Sequence, residues 1–328
     1  MLLNLNENGL FCEQANVYID PIRKVKNAIL THAHSDHARS GMEHYLAHKT
    51  NNQVLKSRIG ANISLQLMDY NEVIDINGVK ISLHPAGHIP GSSQIRLSYK
   101  SETWVVAGDY KLNDDLISTK FETVSCTHFI SESTFGLPIF NWRPEREVFD
   151  ELNLYWSNCI QNEEILVIAA YSLGKAQRII KNMNRDIGAI YCHSAICDMN
   201  LALESAGIEF GAWKTLEIAN IKKLPKNSVI VCPPNAISTL RDQNIPNLNY
   251  VSCSGWMALR GTKNWGNFDA GFVLSDHADW NELEGACLNS GAENIFVTHG
   301  YVEVFSRFLQ EKHSQLNVKP LKILDWGE

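Results

Sequence analysis

The sequence has no long hydrophobic run. Its longest, Ile165 to Tyr171, is seven residues, against the roughly twenty that a membrane-spanning helix needs. Its first ten residues, MLLNLNENGL, lack the basic start and small-residue cleavage site of a secretory leader, so the expected compartment is the cytosol. No Cys-x-x-Cys pair occurs among the eight cysteines. In a chain this long that argues for buried free thiols, not a disulfide framework or a zinc ribbon. Positive charge is also short: 29 basic against 36 acidic residues give a net charge of -7. That excludes a surface coated in cations for non-specific nucleic-acid binding, but not a narrow positive cleft. No internal repeat, low-complexity tract or Pro/Gly/Ser-rich linker is visible.

What remains is an ordinary globular composition, 45% apolar and 20% charged over 328 residues, enough for about two domains. The first third reads as short strands with antiparallel character: Val17–Asp20, Ala28–Thr31, Val73–Ile76, Val79–His84, Gln94–Leu97 and Trp104–Ala107. They are punctuated by Asn77-Gly78, Pro90-Gly91 and Gly108-Asp109. From Pro144 onward, helical spacing (Val148, Leu152, Trp156) alternates with apolar strands at Ile165–Ala170, Ala189–Cys192, Val229–Cys232 and Tyr250–Cys253. Such alternation predicts a parallel α/β unit.

The chemistry concentrates in THAHSDHARSG, residues 31 to 41. His32, His34, Asp36 and His37 fall within six residues at a strand-to-loop transition. A lone histidine is usually a hydrogen-bonded structural residue; three with an aspartate in this pattern read as a divalent-metal site. His32 and His34, two apart, can face one metal, and Asp36 and His37 a second. His88 in PAGHIPG, Asp109 in VAGDY and His299 in VTHGY follow other predicted strands, where functional loops concentrate. Five imidazoles and two carboxylates suit two metals sharing one carboxylate. His84 reads as a packed strand residue.

These motifs, with Asp20 in YID, resemble the metallo-β-lactamase fold. Glu132 in SESTFG, His277 in SDHADW and His299 are similar to the added motifs of the β-CASP nuclease branch, which includes mRNA 3′-end processing and Artemis-type repair nucleases. Longer stretches (HPAGHIPGSSQIRL, ESTFGLPIFNW, YSLGKAQR, SGWMALRG, GFVLSDHADW) resemble the ligase-associated DNA exonuclease family. The resemblance implies a four-layer αββα sandwich from residues 1–142 and 268–328. A β-CASP-like parallel α/β insert, 143–267, would cap the active site. It implies His32, His34 and His88 on one ion, Asp36, His37 and His299 on the other, and Asp109 bridging, the ions being zinc or manganese. Asp20 would orient a ligand histidine. His277, held by Glu132, would protonate the leaving oxygen. The implied activity is a two-metal phosphodiesterase, a DNA exonuclease running 5′ to 3′ in repair with a ligase and a helicase. An RNA-processing nuclease of the same branch is the alternative, and a small-molecule metallohydrolase a distant one.

Two basic stretches are candidate substrate contacts. Ser172 would cap a helix presenting Lys175 and Arg178 to phosphate. Arg260 and Lys263, interleaved with Trp256 and Trp265, would grip a strand.

Overall fold

The computed structural model describes residues 1–259 and 268–322. The chain divides into two compact units, Met1–Asn141 with His277–Glu328, and Trp142–Asp276. The architecture is mixed α/β, with three sheets among the described residues. No helix in them is long and apolar enough to cross a membrane.

The first unit holds two sheets. One has six strands in sequence order, from Leu3–Asn6 to Leu65–Met68. The antiparallel character expected for this region holds only for its first three strands. Val17–Ile19, Asn27–Ile29, His44–His48 and Leu65–Met68 pair parallel. Parallel pairing needs the chain to return to the same end between strands. The loop 30–43 and the helix Asn52–Arg58 make two of those returns. The His-rich motif at residues 32–37 lies in the first of them, at a strand's carboxyl end.

The second sheet has seven strands: Val73–Ile76, Val79–Pro85, Ser93–Tyr99 and Glu102–Val106 run antiparallel, and His128–Ser133, Asn294–Gly300 and Asn317–Pro320 add parallel to that edge. Side chains alternate across a sheet, and here each face enters a different core. Trp104, Val106, Ile130 and Phe296 join Leu10, Ile19, Ile29 and Leu46 of the first sheet. Val105, Ala107, Phe129, Ile295 and Val297 pack instead with Leu283, Cys287, Phe305 and Leu309. Those four lie on the helices Trp280–Asn289 and Val302–Lys312.

The second unit is a parallel sheet in which Ile165–Ala169 is flanked by Val229–Cys232 and Leu248–Cys253. Helices Glu145–Gln161, Lys175–Asn182, Ser194–Glu204 and Ala236–Asp242 alternate with its strands. Segment 268–276 runs with this unit and not with the C-terminal part, because Ala270–Phe272 pairs parallel with Leu248–Cys253. All eight cysteines are free and buried.

Candidate metal centre

The site is assembled at carboxyl ends of strands in the first unit. Asp20 follows Val17–Ile19, His32 follows Asn27–Ile29, His88 follows Val79–Pro85, Asp109 follows Glu102–Val106, and His299 is the second-to-last residue of the strand Asn294–Gly300. Two glycines make the crossings possible. At Gly87 (φ +74°) a Cβ would lie 2.1 Å from the Lys111 carbonyl oxygen, and at Gly108 (φ +60°) 2.7 Å from the Thr31 side chain. Only a residue without a Cβ fits either place.

His32, His34, His88 and Asp109 each offer a ligand atom, all within 4.8 Å of one another. His32 Nε2 lies 3.5 Å and His88 Nε2 3.8 Å from Asp109 Oδ2. His37 Nε2 approaches both Asp36 Oδ2 and Asp109 Oδ2 at 3.5 Å, and its ring lies 6.4 Å from that of His299. His37, Gly108, Asp109, Glu132, Thr298 and His299 line a small cavity of about 10 Å³.

The donor set fits divalent cations. His32 Nε2 and His299 Nδ1 are buried without a hydrogen-bond partner, a costly state for a polar atom unless something else takes its lone pair. The buried groups also shift one another's protonation. Burial, with neighbouring His37, drives the His32 pKa well below its usual value. His37 goes the other way: burial opposes its charge, but Asp109 and Asp20 outweigh burial and raise its pKa well above normal. Asp109 is pushed up by burial yet held well below the carboxylate range by His37, His277 and His32.

Asp20 holds Thr31 and His37. Its Oδ1 accepts the Thr31 amide at 2.8 Å, and its Oδ2 accepts the Thr31 hydroxyl and bonds His37 Nδ1 at 2.8 Å. Nδ1 so engaged, His37 turns Nε2 toward Asp109. Thr31 also reaches His32 Nδ1 at 3.0 Å.

Glu132 and His277 meet although 145 positions apart: His277 Nδ1 lies 2.9 and 3.0 Å from the two Glu132 oxygens. Glu132 also accepts the Tyr110 amide at 2.8 Å and the Thr134 hydroxyl. The His277 ring stands 4.6 Å from that of His88, so the pair borders the histidine cluster. Asp109, Glu132 and His277 themselves converge within 4.8 Å. His84 bonds Ser82 at 2.9 Å and Glu122 at 3.3 Å, a packed strand residue.

The structure does not present the expected phosphate face around Ser172. That helix starts at Lys175, after Gly174 at φ +88°. Gln177, not Ser172, bonds the Gly174 amide (2.7 Å), while Ser172 contributes its carbonyl oxygen to the Gln177 amide (2.9 Å). Lys175 and Arg178 are buried, at 4% and 1% exposure. Lys175 pairs with Asp276 at 3.2 Å, and Arg178 with Asp276 at 2.8 Å and Glu145 at 2.6 Å. Cations this buried must be paired, and the partners are carboxylates of the same unit. Arg260, Lys263 and Trp265 lie outside the described residues; Trp256 is half-buried in the short turn Gly255–Ala258.

Sequence reasoning missed Thr31 and Thr134, whose hydroxyls hold Asp20 and Glu132. Thr134, two residues past Glu132, could have been suspected from the tendency of Ser and Thr to bond locally. Thr31 had no comparable signal.

No family model matches the chain. At 25% identity over 307 residues, 93% of its length, the chain is similar to a probable DNA ligase of Opitutus terrae. It is 25% identical over 188 residues to the RNase aCSPSF2 of Saccharolobus solfataricus, 48% of this chain and 38% of that protein. It is 27% identical over 118 residues to the endoribonuclease YSH1 of Saccharomyces cerevisiae, 35% of this chain and 15% of that protein. The chain spans 30% of the ligase, 38% of the archaeal ribonuclease and 15% of the yeast one. These similarities support the resemblance to β-CASP nucleases.

Proposed function

We propose that this chain is a metal-dependent nuclease. It is a two-metal-ion phosphodiesterase that degrades DNA from single-stranded 5′ ends, in repair alongside a ligase and a helicase. The observation that carries the reading is the convergence of His32, His34, His88 and Asp109 beside the Glu132–His277 pair. The clustered ligands can hold the ions that activate water, and the Glu132–His277 pair can protonate the alkoxide that leaves phosphorus. The metallo-β-lactamase four-layer arrangement of the first unit, with the second as the β-CASP-like insert, belongs to the same proposal.

His32, His34 and His88 would hold one zinc or manganese ion and Asp36, His37 and His299 the other, with Asp109 shared. Bound there, the ions supply an activated water and neutralise charge on the phosphoryl oxygens. The chain's own residues do the rest. Asp20 holds the His37 ring in one orientation, which preorganises the site. Glu132, fixed by Tyr110 and Thr134, holds His277 Nδ1 and leaves Nε2 to give a proton to the departing alkoxide oxygen. Taking the proton there prevents an unfavourable alkoxide.

DNA is favoured over RNA because the similarity to a probable DNA ligase covers 93% of the chain, against 35% and 48% for the two ribonucleases. The RNA reading rests on those ribonucleases. Digestion of end-labelled single-stranded DNA and RNA of one sequence, with manganese or zinc, tests both. Metal-dependent shortening of DNA from the 5′ end is expected. A clear preference for RNA would overturn the DNA reading, and no cleavage of either polymer the whole proposal.

A further inference from the structure

His299 sits in a bulge. The strands His128–Ser133 and Asn294–Gly300 pair regularly from His128 opposite Asn294 to Ser131 opposite Val297. Pairing resumes with Ser133 opposite Gly300, so Glu132 alone faces two residues, Thr298 and His299. Bulges in parallel ladders are rare and re-aim side chains beside active sites. Here the re-aiming is visible. In regular alternation residue 299 would follow Ile295 and Val297 into the helix-covered core. Instead His299 takes φ +54°, a left-handed conformation uncommon outside glycine, and lines the cavity with His37, Asp109 and Glu132.

The bulge needs something to hold it. It removes the Thr298 and His299 carbonyls from the regular ladder, and the Ser133 hydroxyl stands 3.1 and 2.6 Å from their oxygens. The Ser133 carbonyl oxygen accepts the Tyr301 amide at 2.9 Å, gripping the turn from its far side. Gly300 follows at φ +83°, where a Cβ would lie 2.4 Å from that same oxygen. Ser133 is completely buried, away from bulk water.

We infer that Ser133 is a positioning residue for the second metal: its hydroxyl latches the bulge that turns the His299 imidazole into the site. The inference rests on the two-metal reading above. Removing the hydroxyl lets the bulge relax toward regular pairing and withdraws one ligand from one ion, leaving the His32, His34 and His88 set untouched.

The test is a manganese titration of the metal-stripped full chain, followed by electron paramagnetic resonance and by metal content after dialysis. Ser133→Ala is expected to bind the first equivalent as wild type does. It should bind the second about 10–100-fold more weakly, the usual effect of losing a residue that orients a ligand. The spin-coupled signal of a metal pair should fade accordingly. His299→Ala marks the limit of complete loss. Ser133→Cys, with similar shape and a weaker donor, gives an intermediate loss and serves if the alanine variant does not fold. Two equivalents bound as tightly as in wild type overturn the latch alone. So does an equal weakening of both equivalents with a lowered melting temperature, which marks a merely structural residue. Wild-type protein that takes up only one equivalent overturns the two-metal reading, and the latch with it.

Discussion

Replacing His277 with alanine tests the division of labour in the site, because the expected loss depends on what leaves. His277 Nδ1 is held at 2.9–3.0 Å by the Glu132 carboxylate, whose side chain is 1% exposed. A charge-assisted bond to so buried a carboxylate fixes the ring firmly. The proton it presents is worth the usual contribution of general-acid catalysis, about 10²–10⁴ in rate, or about 3–5 kcal/mol of transition-state stabilisation. That contribution matters only if the leaving oxygen needs a proton. On DNA, whose leaving group is an alkoxide, His277→Ala should lose that full factor in kcat. On a 4-nitrophenyl phosphodiester, whose phenolate departs unprotonated, the same variant should retain most of its activity. The assay is kcat on both substrates at saturating metal, with metal content checked. Glu132→Gln should show the same selectivity in milder form. Equal losses on both substrates would refute the assignment and make His277 a metal or substrate contact instead.

Three other outcomes follow from the same geometry. Asp109→Ala should lose metal and activity together, since its Oδ2 lies within 3.5–3.8 Å of His32, His37 and His88; intact nuclease activity would dismiss the centre. Asp276→Ala removes the carboxylate that pairs with both buried Lys175 and buried Arg178 and should cost about 3–5 kcal/mol of stability in denaturant melts; an unchanged midpoint would mean that the ion cluster is not structural. Stability should also depend on pH through His48, which is buried against Tyr70 (ring centroids 3.7 Å apart). Burial takes its pKa from 6.5 down to about 4. The unfolded chain takes the proton first, so stability is complete above pH 6.5 and falls as pH drops from 6.5 toward 4. The slope is at most about 1.4 kcal/mol per pH unit. Melts of His48→Gln across that window should show a shallower slope, and an unaltered one would exclude His48 as the source.

The parts of the site legible in the sequence were those whose chemistry is local. His32, His34, Asp36 and His37 share one loop, so their spacing alone points to a candidate metal site. His88, Asp109 and His299 were legible because each follows an apolar strand, and strand ends in such folds carry function. The alternating strands and helices after Pro144 also read correctly as a parallel unit, since buried strands and amphipathic helices differ in period. The first sheet was misread because hydrophobic period reports that a strand exists, not which way its neighbour runs. Direction depended on the returns made by loop 30–43 and helix Asn52–Arg58.

What only the tertiary structure decided is partnership between groups far apart in the chain. Lys175 and Arg178 look like free cations because their spacing shows nothing of Asp276 and Glu145. Arg178 meets those residues 98 and 33 positions away. A cation's role depends on whether water or a carboxylate receives it, and burial settled that in favour of the carboxylates. Sequence also places His299 at a strand end without revealing its bulge, its left-handed backbone or the Ser133 hydroxyl 166 positions away. The residues that can bind metal are a property of composition and spacing. The direction in which each one points is a property of the backbone, and the backbone is held by contacts that no local pattern encodes.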